Sequence, residues 1–200
     1  LGGLGDDTYI VDVVAAHGTV RLQDAVSDKG GNDTLALRAD DLSAQMVHGA
    51  ANITLARNIE NIDASRTDAN DAFNLTGNGS NNSLTANNHG DSLSGVAGDD
   101  TLAGGTGADM LSGGTGHDIL TGGAGADIFL FHRAEAASAG NADTITDFQA
   151  GAGGDRLDIH EILSGYHGGP ADAFVQLTQS GADTIISVDA SGAAHGASFT

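Results

Sequence analysis

The sequence predicts an all-β fold built as a parallel β-solenoid, and three observations carry that expectation. A Gly–Asp template recurs every nine residues through the middle of the chain, sharpest in GGTGADMLSGGTGHDILTGGAGADIFLF, residues 104–131. One apolar residue keeps a fixed place in every copy of it. Hydrophobic residues make up 40% of the 200, but only 4% are aromatic, so any core must be thin and aliphatic.

The template fixes the strands. With first positions at 77, 86, 95, 104, 113 and 122, the sixth position is Asn82, Asp91, Asp100, Asp109, Asp118 and Asp127. The eighth is Leu84, Leu93, Leu102, Leu111, Leu120 and Phe129. A flexible Gly-rich linker does not hold an apolar residue in register over six copies. A helix is excluded because each interior glycine costs it about 1 kcal/mol. A six-residue turn followed by a three-residue strand fits, with the eighth residue inward and its neighbours outward. Two repeats then complete one coil, and residues 18 apart stack at the inter-strand spacing of about 4.8 Å. One wall carries Leu84, Leu102 and Leu120, and the other Leu93, Leu111 and Phe129.

The turns stack by the same rule, which sets Asp91, Asp109 and Asp127 along one edge and Asn82, Asp100 and Asp118 along the other. Like charges about 4.8 Å apart repel by about 1 kcal/mol even in water. A hard divalent cation between turns reverses that sign. Calcium suits the donors, since it takes carboxylate and carbonyl oxygens in flexible geometry, and glycine lets the turn carbonyls approach. The overall charge agrees: 27 acidic against 7 basic residues give −20. That balance disfavours nucleic acid, bound through Lys and Arg on phosphates, and anionic membrane surfaces. No cysteine is present, so disulfides and thiol chemistry are out, and no apolar run approaches a membrane span.

The repeat resembles the calcium-binding nonapeptide of the RTX family of bacterial type I secreted proteins, closely over residues 77–130 and loosely elsewhere. The resemblance implies a right-handed parallel β-roll with several calcium ions between the turns, closed by a C-terminal β-rich cap. It also implies the ligands: the Asp of each turn, with the carbonyls of positions two and four on one side and one and three on the other. One cage then takes Asp109, Gly105 and Gly107 with Asp127, Gly122 and Ala124. The next takes Asp100, Val96 and Gly98 with Asp118, Gly113 and Thr115. A third takes Asp91, Asn87 and His89 with Asp109, Gly104 and Thr106. Between Asn82 and Asp100 an amide replaces a carboxylate, so that cage is expected weak or empty and Asn82→Ala nearly silent.

Residues 1–76 read as irregular rungs of the same solenoid, with an insertion around 36–58. GGLGDDTYI, residues 2–10, puts Asp7 in the ligand column, and GNDTL, residues 31–35, does the same for Asp33. NIENIDAS, residues 58–65, and AFNLTGNG, residues 72–79, resemble the rungs that precede such blocks in large RTX adhesins. Residues 131–200 read as a capping and secretion-associated segment. In it DTITDFQAGAGGDRLDI, residues 143–159, resembles the stretch that follows the last repeat in type I substrates. Phe131, Phe148, Leu157, Ile159, Ile162 and Leu163 are the candidates to close the core over Phe129. HEIL, residues 160–163, suggests one helical turn, and residues 173–190 a β-hairpin breaking at Ser180. The start lacks a signal peptide and sits inside a repeat, so the chain reads as a piece of something longer.

Catalysis is not expected. The eight histidines are scattered without an HExxH pattern, and no G-x-S-x-G elbow is present. Asp143, Asp155 and Asp158 suit a terminal ion or turn capping equally. The expected function is a calcium-dependent folding module near the C-terminus of a large adhesin. Its partners are calcium, the type I secretion machinery and a surface or host ligand of the parent protein, and its location is extracellular or at the cell surface. The alternative is the C-terminal module of a secreted metalloprotease, lipase or epimerase. A flat ligand- or ice-binding face is disfavoured by the mixed outward column Ser83, Thr101 and Ile119.

Overall fold

The structure, a computed structural model, describes residues 2–16, 19–22, 26, 28–38, 50–67, 71–133, 142–163, 175–180 and 183–188. The strands run β1 (Thr8–Ala16), β2 (Thr19–Leu22), β3 (Thr34–Arg38), β4 (Ala51–Thr54), β5 (Asn61–Asp63), β6 (Phe73–Thr76), β7 (Ser83–Thr85) and β8 (Ser92–Ala97). They continue as β9 (Thr101–Thr106), β10 (Met110–Thr115), β11 (Ile119–Ala124), β12 (Ile128–Leu130), β13 (Thr144–Ile145), β14 (Arg156–Asp158), β15 (Val175–Ser180) and β16 (Asp183–Val188).

Between β3 and β14 successive strands fall on opposite walls of a solenoid, with nine-residue half-coils from β7 to β12. One wall stacks β1, β3, β5, β7, β9, β11 and β13 in parallel, with β2 antiparallel on the outer edge of β1. The other stacks β4, β6, β8, β10, β12 and β14 in parallel. Leu84, Leu102 and Leu120 stand in register in the first wall. Leu93, Leu111 and Phe129 do so in the second. All six are buried to 1% exposure or less. The predicted columns and the stacking by 18 are therefore the observed ones. A fully buried aliphatic side chain is worth roughly 1.5–3 kcal/mol, so each added coil contributes one such layer per wall.

Strand length differs from the expectation. β7 and β12 have three residues, but β8, β9, β10 and β11 have six each. The ladder does not stop where the glycines begin. Gly114 pairs with Val96 and Gly123 with Gly105, because identical turns stacked in register offer each other's amides a partner.

Upstream rungs use longer coils, 26 residues from Asp7 to Asp33, 27 from Asp33 to Glu60 and 22 from Glu60 to Asn82. The insertion expected over 36–58 is too wide. Residues 36–38 finish β3, and β4 lies at 51–54, with Leu37, Ile53 and Leu55 all in the core; residues 39–49 lie outside the described ones.

Downstream, the solenoid continues past the repeats. Ile145 stacks on Leu120 and Leu157 on Phe129. The Phe148 ring sits 6.0 Å from that of Phe129, and Phe131 also packs on the core. Phe131, Phe148 and Leu157 thus take the places expected of them and Ile145 joins them, whereas Ile159, Ile162 and Leu163 do not pack on the solenoid core. At 160–163 a single hydrogen-bonded turn forms, with Leu163 N–H donating to Ile159 C=O at 3.1 Å. β15 and β16 pair antiparallel, Val175 opposite Val188, as the hairpin reading required; residues 181–182 lie outside the described ones. Among the described residues no helix is long and apolar enough to cross a membrane.

Candidate metal centre

The ligand column is built by the backbone first. Each position-six residue sits just before a strand and stacks on its counterpart one coil away. The N–H of Asp91 donates to Asp109 Oδ1 at 2.7 Å, and that of Asp109 to Asp127 Oδ1 at 2.9 Å. On the other edge Asn82 donates to Asp100 Oδ1 at 2.7 Å, and Asp100 to Asp118 Oδ1 at 2.8 Å. Every one of these carboxylates therefore spends one oxygen on the coil before it, a role the sequence reading did not foresee.

The second oxygen is what matters for an ion. Oδ2 of Asp100, Asp109, Asp118 and Asp127 is buried without any hydrogen-bond donor. These side chains are 1% exposed or less. Burial, and then the neighbouring carboxylates, push Asp100 up to about 7 and Asp109 up to about 6. Asp118 and Asp127 are raised for the same first reason. Buried carboxylates are ordinarily paired or metal-bound. Among the described residues the ion pairs are Arg38–Asp12, His132–Glu161 and His160–Asp158, and none touches this stack.

The turns converge on the same places. A Cβ at Gly104 would lie 2.5 Å from Asp109 Oδ2 and 2.7 Å from the Gly122 carbonyl oxygen. At Gly95 it would run into Asp100 Oδ2 and the Gly113 carbonyl. Gly122 and Gly113 are the first-position carbonyls the resemblance assigned. Carbonyls of positions two and four face the following coil: Asn87 and His89 abut Gly105 and Gly107, Val96 and Gly98 abut Gly114 and Gly116, and Gly105 and Gly107 abut Gly123 and Gly125. The third-position carbonyls of Thr115 and Ala124 accept the N–H of Gly98 and Gly107 at 2.9 and 2.8 Å, which leaves each a second lone pair. Thr106 pairs with Ala124 across the ladder. Gly105, Gly114 and Gly123 hold φ of +103, +105 and +99°, and at the equivalent place Val96 holds +86°. For a β-branched residue that is a strained conformation.

Two predicted positions differ from the rest. Asp91 has both oxygens bonded, Oδ1 to Phe73 N–H at 2.7 Å and Oδ2 to Asn87 N–H at 3.2 Å. The Asn87 side chain is itself tied to Thr67 Oγ1 and the Asp71 carbonyl. Asn82 is not the idle residue expected. It is buried, its Oδ1 accepts Asn78 N–H at 2.7 Å, and its amide donates to the Glu60 carbonyl at 3.1 Å. Internal donors there do what a cation is needed for elsewhere, so removing the side chain orphans buried groups.

The columns run beyond the regular block. Asp7 N–H donates to Asp33 Oδ1 at 2.8 Å, and Asp33 N–H to Glu60 Oε2 at 2.9 Å. Asp118 N–H donates to Asp143 Oδ1 and Asp127 N–H to Asp155 Oδ1, both at 3.0 Å. Asp143 and Asp155 thus take the place of the next repeat's Asp, and Asp147 accepts the Gly122 and Gly123 amides at 3.0 and 2.7 Å. Asp158 is instead bound to His160 at 2.6 Å on the surface. The signal for Asp143 and Asp155 was available as Asp-x-aliphatic in DTI and DRL, without the nine-residue spacing. His89 and His117 are exposed, as expected.

Donors of this kind, all hard oxygens with orphaned carboxylates and no nitrogen or sulfur, fit calcium. Residues 74–102 and 94–129 match the RTX calcium-binding nonapeptide repeat family, 4 copies. No curated protein matches the chain. The chain carries RTX calcium-binding repeats on a parallel β-solenoid, and such repeats bind Ca²⁺ between their turns. They mark a calcium-binding module of a type I secreted protein, structural rather than catalytic in itself.

Proposed function

We propose that this module folds on calcium outside the cell and supports secretion and surface display of a large adhesin, near whose C-terminus it lies. One observation carries the folding reading: four stacked Asp side chains with buried, donorless Oδ2 atoms. Asp100 with the Val96 and Gly98 carbonyls, and Asp118 with those of Gly113 and Thr115, hold one ion. Asp109 with Gly105 and Gly107, and Asp127 with Gly122 and Ala124, hold another. Asp91 with Asn87 and His89, facing Asp109, Gly104 and Thr106, holds a third, weaker because the Asp91 oxygens already have partners. Binding free energy becomes folding free energy when the unfolded chain has no site. Extracellular calcium modules bind at roughly 10⁻⁴–10⁻³ M, so the chain stays open in calcium-poor cytosol and closes outside.

Residues 1–76, 77–130 and 131–200 act as lead-in rungs, ion-binding block and cap. The adhesin context rests on the resemblance of residues 58–65 and 72–79 to the rungs that precede such blocks in large RTX adhesins; β5 and β6 carry those rungs. Far-ultraviolet circular dichroism during a calcium titration should show a cooperative gain of β signal. Equal order in excess chelator would remove the folding reading. An antibody to residues 77–130 should label intact cells making the parent protein. Signal confined to the culture fluid, together with a hydrolytic activity, would favour the secreted-enzyme alternative.

A further inference from the structure

We propose that Asp7, Asp28 and Asp33 form a separate site for a calcium-class cation on the first coil, completed by an acid at the template's first position, where the regular repeats carry glycine in five copies of six. Asp7 and Asp33 stack like the regular Asp pairs, although 26 residues separate them. Asp28 stands five residues before Asp33, at that first position, and one oxygen from each of the three carboxylates lies within 4.8 Å of the others. Its side chain is aimed and fixed. Tyr9 Oη donates to Asp28 Oδ1 at 2.7 Å, and the Gly30 N–H donates to Asp28 Oδ2 at 2.5 Å.

A second observation points to a ligand rather than to a mere acidic patch. Asp33 is 0% exposed, and its Oδ2 has no donor at all. None of the ion pairs among the described residues reaches the cluster. A carbonyl is at hand too: a Cβ on Gly31, where φ is +149°, would collide with the Gly5 oxygen. Three carboxylates and a main-chain carbonyl, with no imidazole or thiolate, suit a hard oxygen-seeking cation. The site does not rest on the regular stack, because none of its side chains belongs to residues 74–129, which match the repeat family.

Tyr9 supplies the assay. The chain has two tyrosines and no tryptophan, so in a Tyr166→Phe background Tyr9 alone can sensitise a bound lanthanide. The first ion of the regular stack lies between the turns of Asp91 and Asp109, beyond the rungs β3, β5 and β7 that follow β1, and so at least three inter-strand spacings, roughly 14 Å, away. Terbium added to the full chain should show tyrosine-excited emission that calcium displaces and magnesium displaces poorly. Asp28→Asn should move the terbium midpoint up by about tenfold or more, with the circular dichroism of the chain unchanged. Asp109→Asn should change the calorimetric ion count while leaving the Tyr9-excited emission in place. A folded chain with Asp28 intact and no Tyr9-excited emission overturns the proposal without any change in the cluster. Emission with an unshifted midpoint in Asp28→Asn overturns it as well.

Discussion

Asp109 separates two functions that one carboxylate performs, and two substitutions pull them apart. Its Oδ1 accepts the Asp91 N–H at 2.7 Å, while its Oδ2 is buried without a donor. Asp109→Asn keeps an oxygen for the amide and removes the charge. Asp109→Ala removes both and leaves the Asp91 N–H buried and unpaired, at about 1–3 kcal/mol. Without calcium the Asn variant should therefore be more ordered than the wild type, because it deletes a buried charge that Asp127 repels. With calcium the order reverses. Both cages that share Asp109 lose a carboxylate, and the calcium midpoint should rise by about tenfold or more, equivalent to at least about 1.4 kcal/mol. The Ala variant should be worse than Asn in both conditions, by about the 1–3 kcal/mol of the lost amide bond. The assay is circular dichroism in chelator and across a calcium titration, with ion counts by calorimetry. An Asn variant that needs no more calcium than the wild type, or that is indistinguishable from Ala in chelator, would refute the division of roles.

Three further outcomes follow from the same geometry. Asp91, Asp100, Asp109 and Asp143 protonate near pH 6–7 in the metal-free fold, against about 3.8 when unfolded. The folded state then binds more protons in that window, so calcium-free stability should be highest below about pH 4 and fall as pH rises through 6–7. Protons and calcium compete for the same oxygens, so the calcium midpoint should climb as pH drops below 7, and a flat midpoint between pH 5 and 8 would count against the ligand assignment. Val96→Gly relieves φ of +86° at a half-exposed position and should stabilise the calcium-bound fold by about 1 kcal/mol after the entropy that glycine returns to the unfolded chain, read as a higher melting temperature. A chain ending at Leu130 loses Ile145 and Leu157 from the last core layer and the Asp143 and Asp155 acceptors of the Asp118 and Asp127 amides; it should stay disordered at calcium concentrations that fold all 200 residues, and an unchanged midpoint would show that the segment is no cap.

The regular block was legible because period and geometry coincide there. Nine residues make one wall strand plus one turn, so Leu102 must stack on Leu84, and Asp118 must stack on Asp100. Outside it the walls persist but the connections lengthen. Asp127 reaches Asp155 over 28 residues, and Asp118 reaches Asp143 over 25. What is kept across those gaps is the Asp followed two places later by an inward aliphatic, Ile145 or Leu157. A reading tied to spacing sees the period and misses the rung. Asn82 was misjudged for a related reason, since a sequence shows that an amide replaces a carboxylate but not which carbonyl receives its N–H.

This arrangement also explains how a chain of charge −20 closes in a single register when calcium binds. The Oδ1 bonds tie each Asp to the coil before it and set the alignment, while the cation supplies the positive charge that lets the stack close. Deleting the Oδ2 atoms, as Asn does, frees the stack from calcium at the expense of the switch. Deleting the Oδ1 bonds attacks alignment itself. Neutral Asn82 stands at the start of the ion-binding run, where a further carboxylate would face Glu60 with no cage of its own. The chemistry of each position-six residue therefore follows from what lies on either side of it: another carboxylate calls for a cation, and a carbonyl such as that of Glu60 calls for a donor.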